Sequence, residues 1–227
     1  MGRGGVRVLC PGNGTVEPPA SGGTGAHMTL GLALHTAGAT VGLAVGQIGE
    51  PYRVEQYAWG WDTNRHFHAQ LAQFLQPYRW ADLDLLAVTR GPGSFTTLRL
   101  GLVTARILAQ ELHIPLFALS TLGVASFAYS EPVALSWPAG TDLIYGGIYH
   151  RGYVQHPDQV FTLAAWQELI KNWPEPVQVA EDIHTQAPAD QLLHWAGQLW
   201  VNGERPHWSA AQPFYGRSPV DAVGLQV

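Results

Sequence analysis

Leu85-Leu86-Ala87-Val88-Thr89 runs into Arg90-Gly91-Pro92-Gly93-Ser94-Phe95-Thr96-Thr97, and that turn runs into Leu98-Arg99-Leu100-Gly101-Leu102. A short apolar run, a Gly-Pro-Gly bend and a periodic apolar stretch read as strand, tight turn and helix. Along the helix, Leu98, Leu102, Ala105, Leu108, Ala109 and Leu112 share one face, while Gly101, Ala105 and Ala109 recur at every fourth position. Small residues at that spacing let another helix approach closely. His113-Ile114-Pro115 closes the helix.

Upstream, the fold begins at Met28. Leu30, Leu32 and Leu34 alternate with small residues, His35-Thr36-Ala37-Gly38 is a turn, and Val41, Leu43 and Val45 alternate again. Gly49-Glu50-Pro51 turns the chain into a third strand over 53–59, completing an antiparallel meander. Asn64 is a candidate N-cap for a helix whose Phe67, Leu71, Phe74 and Leu75 fall on one face, ended by Pro77. Downstream lie a strand over 116–119 and a helix capped by Ser120 or Thr121 and running to about Tyr129. Strands follow over 133–137 and 143–154 around Pro138-Ala139-Gly140, then a helix over 163–173, a strand over 177–180 and a helix over 190–200. The proline-containing tail from Gly203 wraps the surface, and no internal repeat stands out. A meander, then helix, strand, helix, strand, predicts an α/β fold with a mixed sheet.

Composition narrows the function classes. Of 227 residues, 46% are hydrophobic and only 13% charged, against the usual quarter or so. That leaves apolar or neutral surface for a partner. The net charge of −5 gives no overall attraction to phosphate backbones. Cys10 is the single cysteine, so no intramolecular disulfide forms. No apolar run approaches the roughly 20 residues of a membrane helix. Pro11, Gly12, Gly14, Pro18, Pro19, Gly22, Gly23 and Gly25 break up residues 1–27, which read as a disordered leader or a misplaced start, with translation from Met28.

Gly91, Gly93, Ser94 and Thr96 form a candidate anion- or nucleotide-binding loop, because backbone amides at a helix N-terminus favour anions. The loop lacks the Gly-Lys-Ser/Thr of a Walker A motif and is not a GxGxxG fingerprint. A tight turn set by Pro92 and Gly93 is the competing reading. Ser94 lacks the Gly-x-Ser-x-Gly context of a nucleophile, so helix capping by Ser94, Thr96 or Thr97 fits better. His66 and His68 point about 200° apart on a helix and cannot share a metal ion there. Asp82, Asp84 and the Glu181-Asp182 turn place no carboxylate pair beside a nucleophile. The nine tryptophans are scattered, as packing residues are. No catalytic residue and no metal site is predicted.

The stretch from Arg90 to Gly101 resembles the signature of the TsaB family, Gly-Pro-Gly-Ser-Phe-Thr-Gly-Leu-Arg-x-Gly, with Thr97 where glycine is usual. Leu32-Ala33-Leu34-His35-Thr36 resembles the family's opening strand and turn. His66 followed by Leu71, Ser120-Thr121-Leu122, Tyr145 and Tyr149, and Pro213, Tyr215 and Arg217 resemble further family positions.

The resemblance implies an actin-like (ribonuclease H-like) fold, a mixed sheet with helices on both faces. An N-terminal lobe over 28–122 and a reduced C-terminal lobe over 123–218 would precede a tail over 219–227. It implies a non-catalytic cytoplasmic scaffold that heterodimerises with a TsaD-like catalytic subunit. With a TsaE-like ATPase, that assembly threonylcarbamoylates adenosine 37 of transfer RNAs reading ANN codons, and this chain meets RNA only indirectly. Leu98, Gly101, Leu102, Ala105, Leu108, Ala109 and Leu112, with His66, Phe67 and Leu71, are the expected partner interface, open to a homodimer when the partner is absent. Ala105→Glu or Gly101→Arg is then expected to abolish the heterodimer and leave a folded monomer. No cofactor is expected, with ADP or ATP at a partner interface left open. His35 stands where an active actin-like ATPase carries an aspartate, and neutral imidazole does not replace a carboxylate for Mg²⁺. Pro138 to Asp142 occupies the family's Asp-Ala-Arg hairpin without its Asp and Arg. Both departures weigh against ATP hydrolysis by this chain; the alternative reading is a degenerate actin-like nucleotide-binding protein or hydrolase (ATPase or peptidase) acting on its own.

Overall fold

A computed structural model describes residues 28–180 and 187–214. The expected leader, the Glu181-Asp182 turn, Tyr215, Arg217 and the 219–227 tail lie outside the described residues. The first sheet has the order β3-β2-β1-β4-β5, built from β1 (Leu30–His35), β2 (Val41–Gln47), β3 (Arg53–Tyr57), β4 (Leu85–Gly91) and β5 (Leu116–Ser120). β1 to β3 form the expected antiparallel meander, and β4 and β5 add in parallel.

Both faces of this sheet are covered. On one face, Leu32, Leu34, Val41, Leu43, Leu86 and Val88 pack under α1 (Thr63–Leu75) and α2 (Phe95–Leu112). On the other, Ala33, Ala44, Leu85 and Ala87 pack against Ala189, Leu192, Leu193 and Ala196 of α5 (Ala189–Val201). The small residues of β1 and β2 are the seat of α5. A Cβ on Gly42 would lie 2.2 Å from the Ala187 carbonyl oxygen, and one on Gly31 would lie 2.7 Å from Leu193 Cδ1. Residues 189–201 were expected in the second lobe, but this packing places them with the first. The segment after α5 also returns there, where Leu116 donates its N–H to the Pro206 carbonyl and Ala211 enters the core.

The second sheet has the order β8-β7-β6-β9, from β6 (Val133–Pro138), β7 (Leu143–His150), β8 (Tyr153–Thr162) and β9 (Gln178–Ala180). The strand expected over 143–154 is thus a hairpin, turning at Arg151 and Gly152, both with positive φ. The order β6-β7-β8-α4-β9 repeats β1-β2-β3-α1-β4 in shortened form, so the chain carries a topological repeat that its sequence does not display. α4 (Leu163–Lys171) buries Trp166 against β7 and starts where Thr162 Oγ1 accepts the Ala165 N–H at 3.2 Å. Thr162→Ala is expected to lower stability by about 1 kcal/mol, read as a lower urea midpoint. Between the sheets, α3 (Thr121–Ala125) touches β4, β5, β6 and β7. Ser120 caps it as expected, accepting the Gly123 N–H at 3.1 Å.

Helix α1 begins at Thr63 with Asp62 at the N-cap, so Asn64 lies inside the helix and does not cap it. Arg53 donates to the Gln76 and Phe74 carbonyls at its far end, supplying donors that the last turn lacks.

Candidate docking site

The geometry of α2 settles which of its sides faces the protein. Leu98, Gly101, Leu102, Ala105 and Ala109 are buried inside this chain, with Ala105 and Ala109 at 0% exposure. A Cβ on Gly101 would lie 2.1 Å from Thr36 Oγ1, so that glycine lets α2 rest on the β1–β2 turn. Leu108 and Leu112 are half-buried against the same core, and Phe67 and Leu71 of α1 are buried in it. The expected interface is therefore mostly interior surface. The apolar stripe answers to the chain's own sheet, whose leucines need cover. Of the ten residues expected there, His66 alone is exposed, with its ring 6.0 Å from Trp59.

The opposite side of α2 carries a second ridge. Phe95, Arg99, Val103 and Ile107 recur at every fourth position and all face solvent, at 52% exposure for Phe95, 53% for Val103 and 56% for Ile107. The Arg99 guanidinium lies 3.7 Å from the centre of the Phe95 ring. Beside it runs α1, tied to α2 where His68 Nε2 meets Thr104 Oγ1 at 3.0 Å. On α1, Ala69 and Ala72 are exposed, and Trp61 in the turn before it is fully exposed. Apolar side chains displayed on adjacent helices form a candidate interaction surface. In the sequence this ridge, Phe95-Arg99-Val103-Ile107, is masked by the more apolar leucine side of the same helix.

The Gly91–Thr96 loop is held from two sides. Ser94 donates its N–H to the Ala37 carbonyl at 2.6 Å, and Phe214 donates its N–H to the Arg90 carbonyl at 2.8 Å. A Cβ on Gly93 would lie 2.4 Å from the Ala37 oxygen, and one on Gly91 would lie 2.8 Å from the Phe214 oxygen. The two glycines thus serve close backbone approach, and Gly91 also has φ of +116°. Ser94 and Thr96 are exposed, but the Ser94 amide expected to face an anion is spent on Ala37. Nor does the Ser94 side chain cap α2; instead Thr97 Oγ1 donates to the Ser94 carbonyl.

His35 ends β1 as a buried residue, and burial lowers its pKa to about 4. The imidazole is neutral at pH 7, and its Nδ1 has no partner. Asp82 is engaged by Arg79, and Asp84 accepts the Leu30 N–H at 2.8 Å, so both carboxylates serve structure. Among the described residues no three His, Cys, Asp or Glu side chains gather as a metal site, and no helix is long and apolar enough to cross a membrane.

One meander–helix–strand unit and its shortened repeat, meeting through α3, define an actin-like α/β protein. An exposed apolar ridge of Phe95, Val103 and Ile107 lies on α2, beside α1. The fold is shared with YeaZ from Pseudomonas aeruginosa, at TM-score 0.66 and 24% identity, over 82% of this chain and all of that one. A second Pseudomonas aeruginosa structure, of a protein with similarity to peptidase YEAZ, gives TM-score 0.70 at 24% identity over 84% of this chain and 100% of that chain. The family model for TsaD, tRNA N6-adenosine threonylcarbamoyltransferase, matches residues 73–183. The tRNA threonylcarbamoyladenosine biosynthesis protein TsaB of Bacillus subtilis (strain 168) is 31% identical over 161 residues, covering 66% of this chain and 69% of that protein. Its counterpart in Escherichia coli (strain K12) is 26% identical over 168 residues, covering 61% and 73%. The chain belongs to the TsaB family.

Proposed function

We propose that this chain serves the biosynthesis of threonylcarbamoyladenosine in transfer RNA as a cytoplasmic, non-catalytic docking subunit. It pairs with a TsaD-type catalytic subunit through the solvent side of α1 and α2. The observation that carries this reading is the ridge of Phe95, Val103 and Ile107, exposed on a helix whose other side is fully occupied. The names of its relatives support the pathway, and the net charge of −5 favours RNA being held by other subunits. A TsaE-type ATPase completes the assembly, and the same ridge supports a homodimer when the catalytic subunit is absent. The neutral, buried His35 supports a chain that leaves ATP hydrolysis to its partners.

Val103→Glu with Ile107→Glu is the test. Both positions are more than half exposed, so the fold tolerates the charges. Affinity for the catalytic subunit is expected to fall about 100-fold, since an interface core disfavours unpaired charge. Co-purification of tagged variant and wild type with the catalytic subunit reads the loss, and retention of the partner by the variant rejects the reading. The pure chain incubated with ATP and Mg²⁺ is expected to release no phosphate above background.

A further inference from the structure

Away from the helix pair, buried polar atoms gather where the two lobes meet. Tyr149 of β7 is 2% exposed, and its hydroxyl donates to the Asp158 carboxylate of β8. The same hydroxyl lies 3.3 Å from Ser120 Oγ, at the end of β5 in the first lobe. Ser120 in turn holds the start of α3 through the Gly123 N–H. Beside it, Ser126 Oγ, just past α3, accepts the N–H of Gly152, in the β7–β8 turn, at 2.9 Å.

The chain is shaped to make this cluster. Gly146 pairs with Gln159 and Ile148 with His156, so Pro157 and Asp158 together face Gly147. That is a β-bulge, a device that re-aims a side chain. It turns Asp158 inward, to 9% exposure. Gly147 leaves the room, since a Cβ there would lie 2.7 Å from Tyr149 Cε2 and 2.8 Å from Asp158 Oδ1. Burial raises the carboxyl's pKa, and the charge of Arg90 at the end of β4 works against that rise. Asp158 Oδ2 has no partner.

We infer that Ser120, Tyr149 and Asp158 form a latch that holds the two lobes of this chain at one fixed angle. The apolar contacts around it, Leu122, Val133, Leu135 and Tyr149, are non-directional and accommodate a range of lobe angles. Hydrogen bonds between buried groups do not, because their energy falls steeply with misalignment and a buried group without its partner is costly. A buried polar cluster at a junction thus selects one geometry at some expense of stability.

The test is an interlobe distance distribution by double electron–electron resonance. Spin labels go on cysteines replacing the exposed Gln110 of α2 and Gln167 of α4, in full-length chain with Cys10→Ser. The parent is expected to give one narrow peak. Tyr149→Phe is expected to broaden it at least about twofold, with exchange of the Gly152 amide about tenfold faster. Tyr149→Phe with Asp158→Leu removes both partners and leaves no buried group unpaired, which protects the fold. That double variant is expected to show a similarly broad distribution with a denaturation midpoint near the parent's. A parent with several distances overturns the latch. So does a double variant that folds with a peak as narrow as the parent's.

Discussion

Ala105→Glu is expected to unfold this chain. Ala105 has no exposed surface, and it lies in the core where α2 meets the first sheet. A glutamate there buries an unpaired carboxylate and forces extra volume into a packed layer, a change that costs about 5 kcal/mol. That is comparable with the whole stability of many domains. Gly101→Arg acts in the same direction, since even a Cβ at Gly101 collides with Thr36. Far-UV circular dichroism with a urea titration checks both variants at pH 7. The apolar stripe of α2 taken alone predicts each to be a folded monomer that has lost its partner. A cooperative unfolding transition close to that of wild type would restore that view.

Acid is expected to weaken the fold through His35. Its pKa is about 4 in the folded protein, lowered by burial from an ordinary 6.5. Between these values the unfolded chain binds the proton and the folded chain does not, so stability falls as pH falls. The contribution is complete above pH 6.5 and is lost progressively toward pH 4, about 3 kcal/mol in all. Asp158 has the opposite sign, because its raised pKa favours proton uptake by the folded state. It is common to wild type and His35→Gln, so the difference between them isolates His35. Urea unfolding of both proteins at pH 7 and pH 4 reads that difference. Wild type should lose about 3 kcal/mol more than the variant, and equal losses would show that His35 is protonated in the fold without penalty.

The first lobe was legible because its signals are local. Alternation set β1 and β2, periodicity set α1 and α2, and Gly91-Pro92-Gly93 marked the turn between β4 and α2. What periodicity cannot say is whether an apolar stripe meets its own sheet or another chain. Only the close approach of Gly101 to Thr36 decides that, and those residues are far apart in sequence. The small residues of β1 and β2 fit strand alternation, and that pattern does not announce that Gly31 lies under Leu193 of α5 and Gly42 under Ala187 just before it. β8 was missed because exposed residues and Pro157 interrupt its pattern, and Arg151-Gly152 is a weaker hairpin signal than Asn-Gly. The inward turn of Asp158 depends on a bulge set by pairing with β7, which no local pattern announces.

The solvent ridge of α2 as a docking surface is tested most directly by isothermal titration of the TsaD-type catalytic subunit into wild type and the Val103→Glu/Ile107→Glu variant. Circular dichroism confirms that both are folded. Saturable binding to wild type with about 100-fold weaker binding to the variant is the predicted result. Equal affinity for the two folded proteins would contradict it.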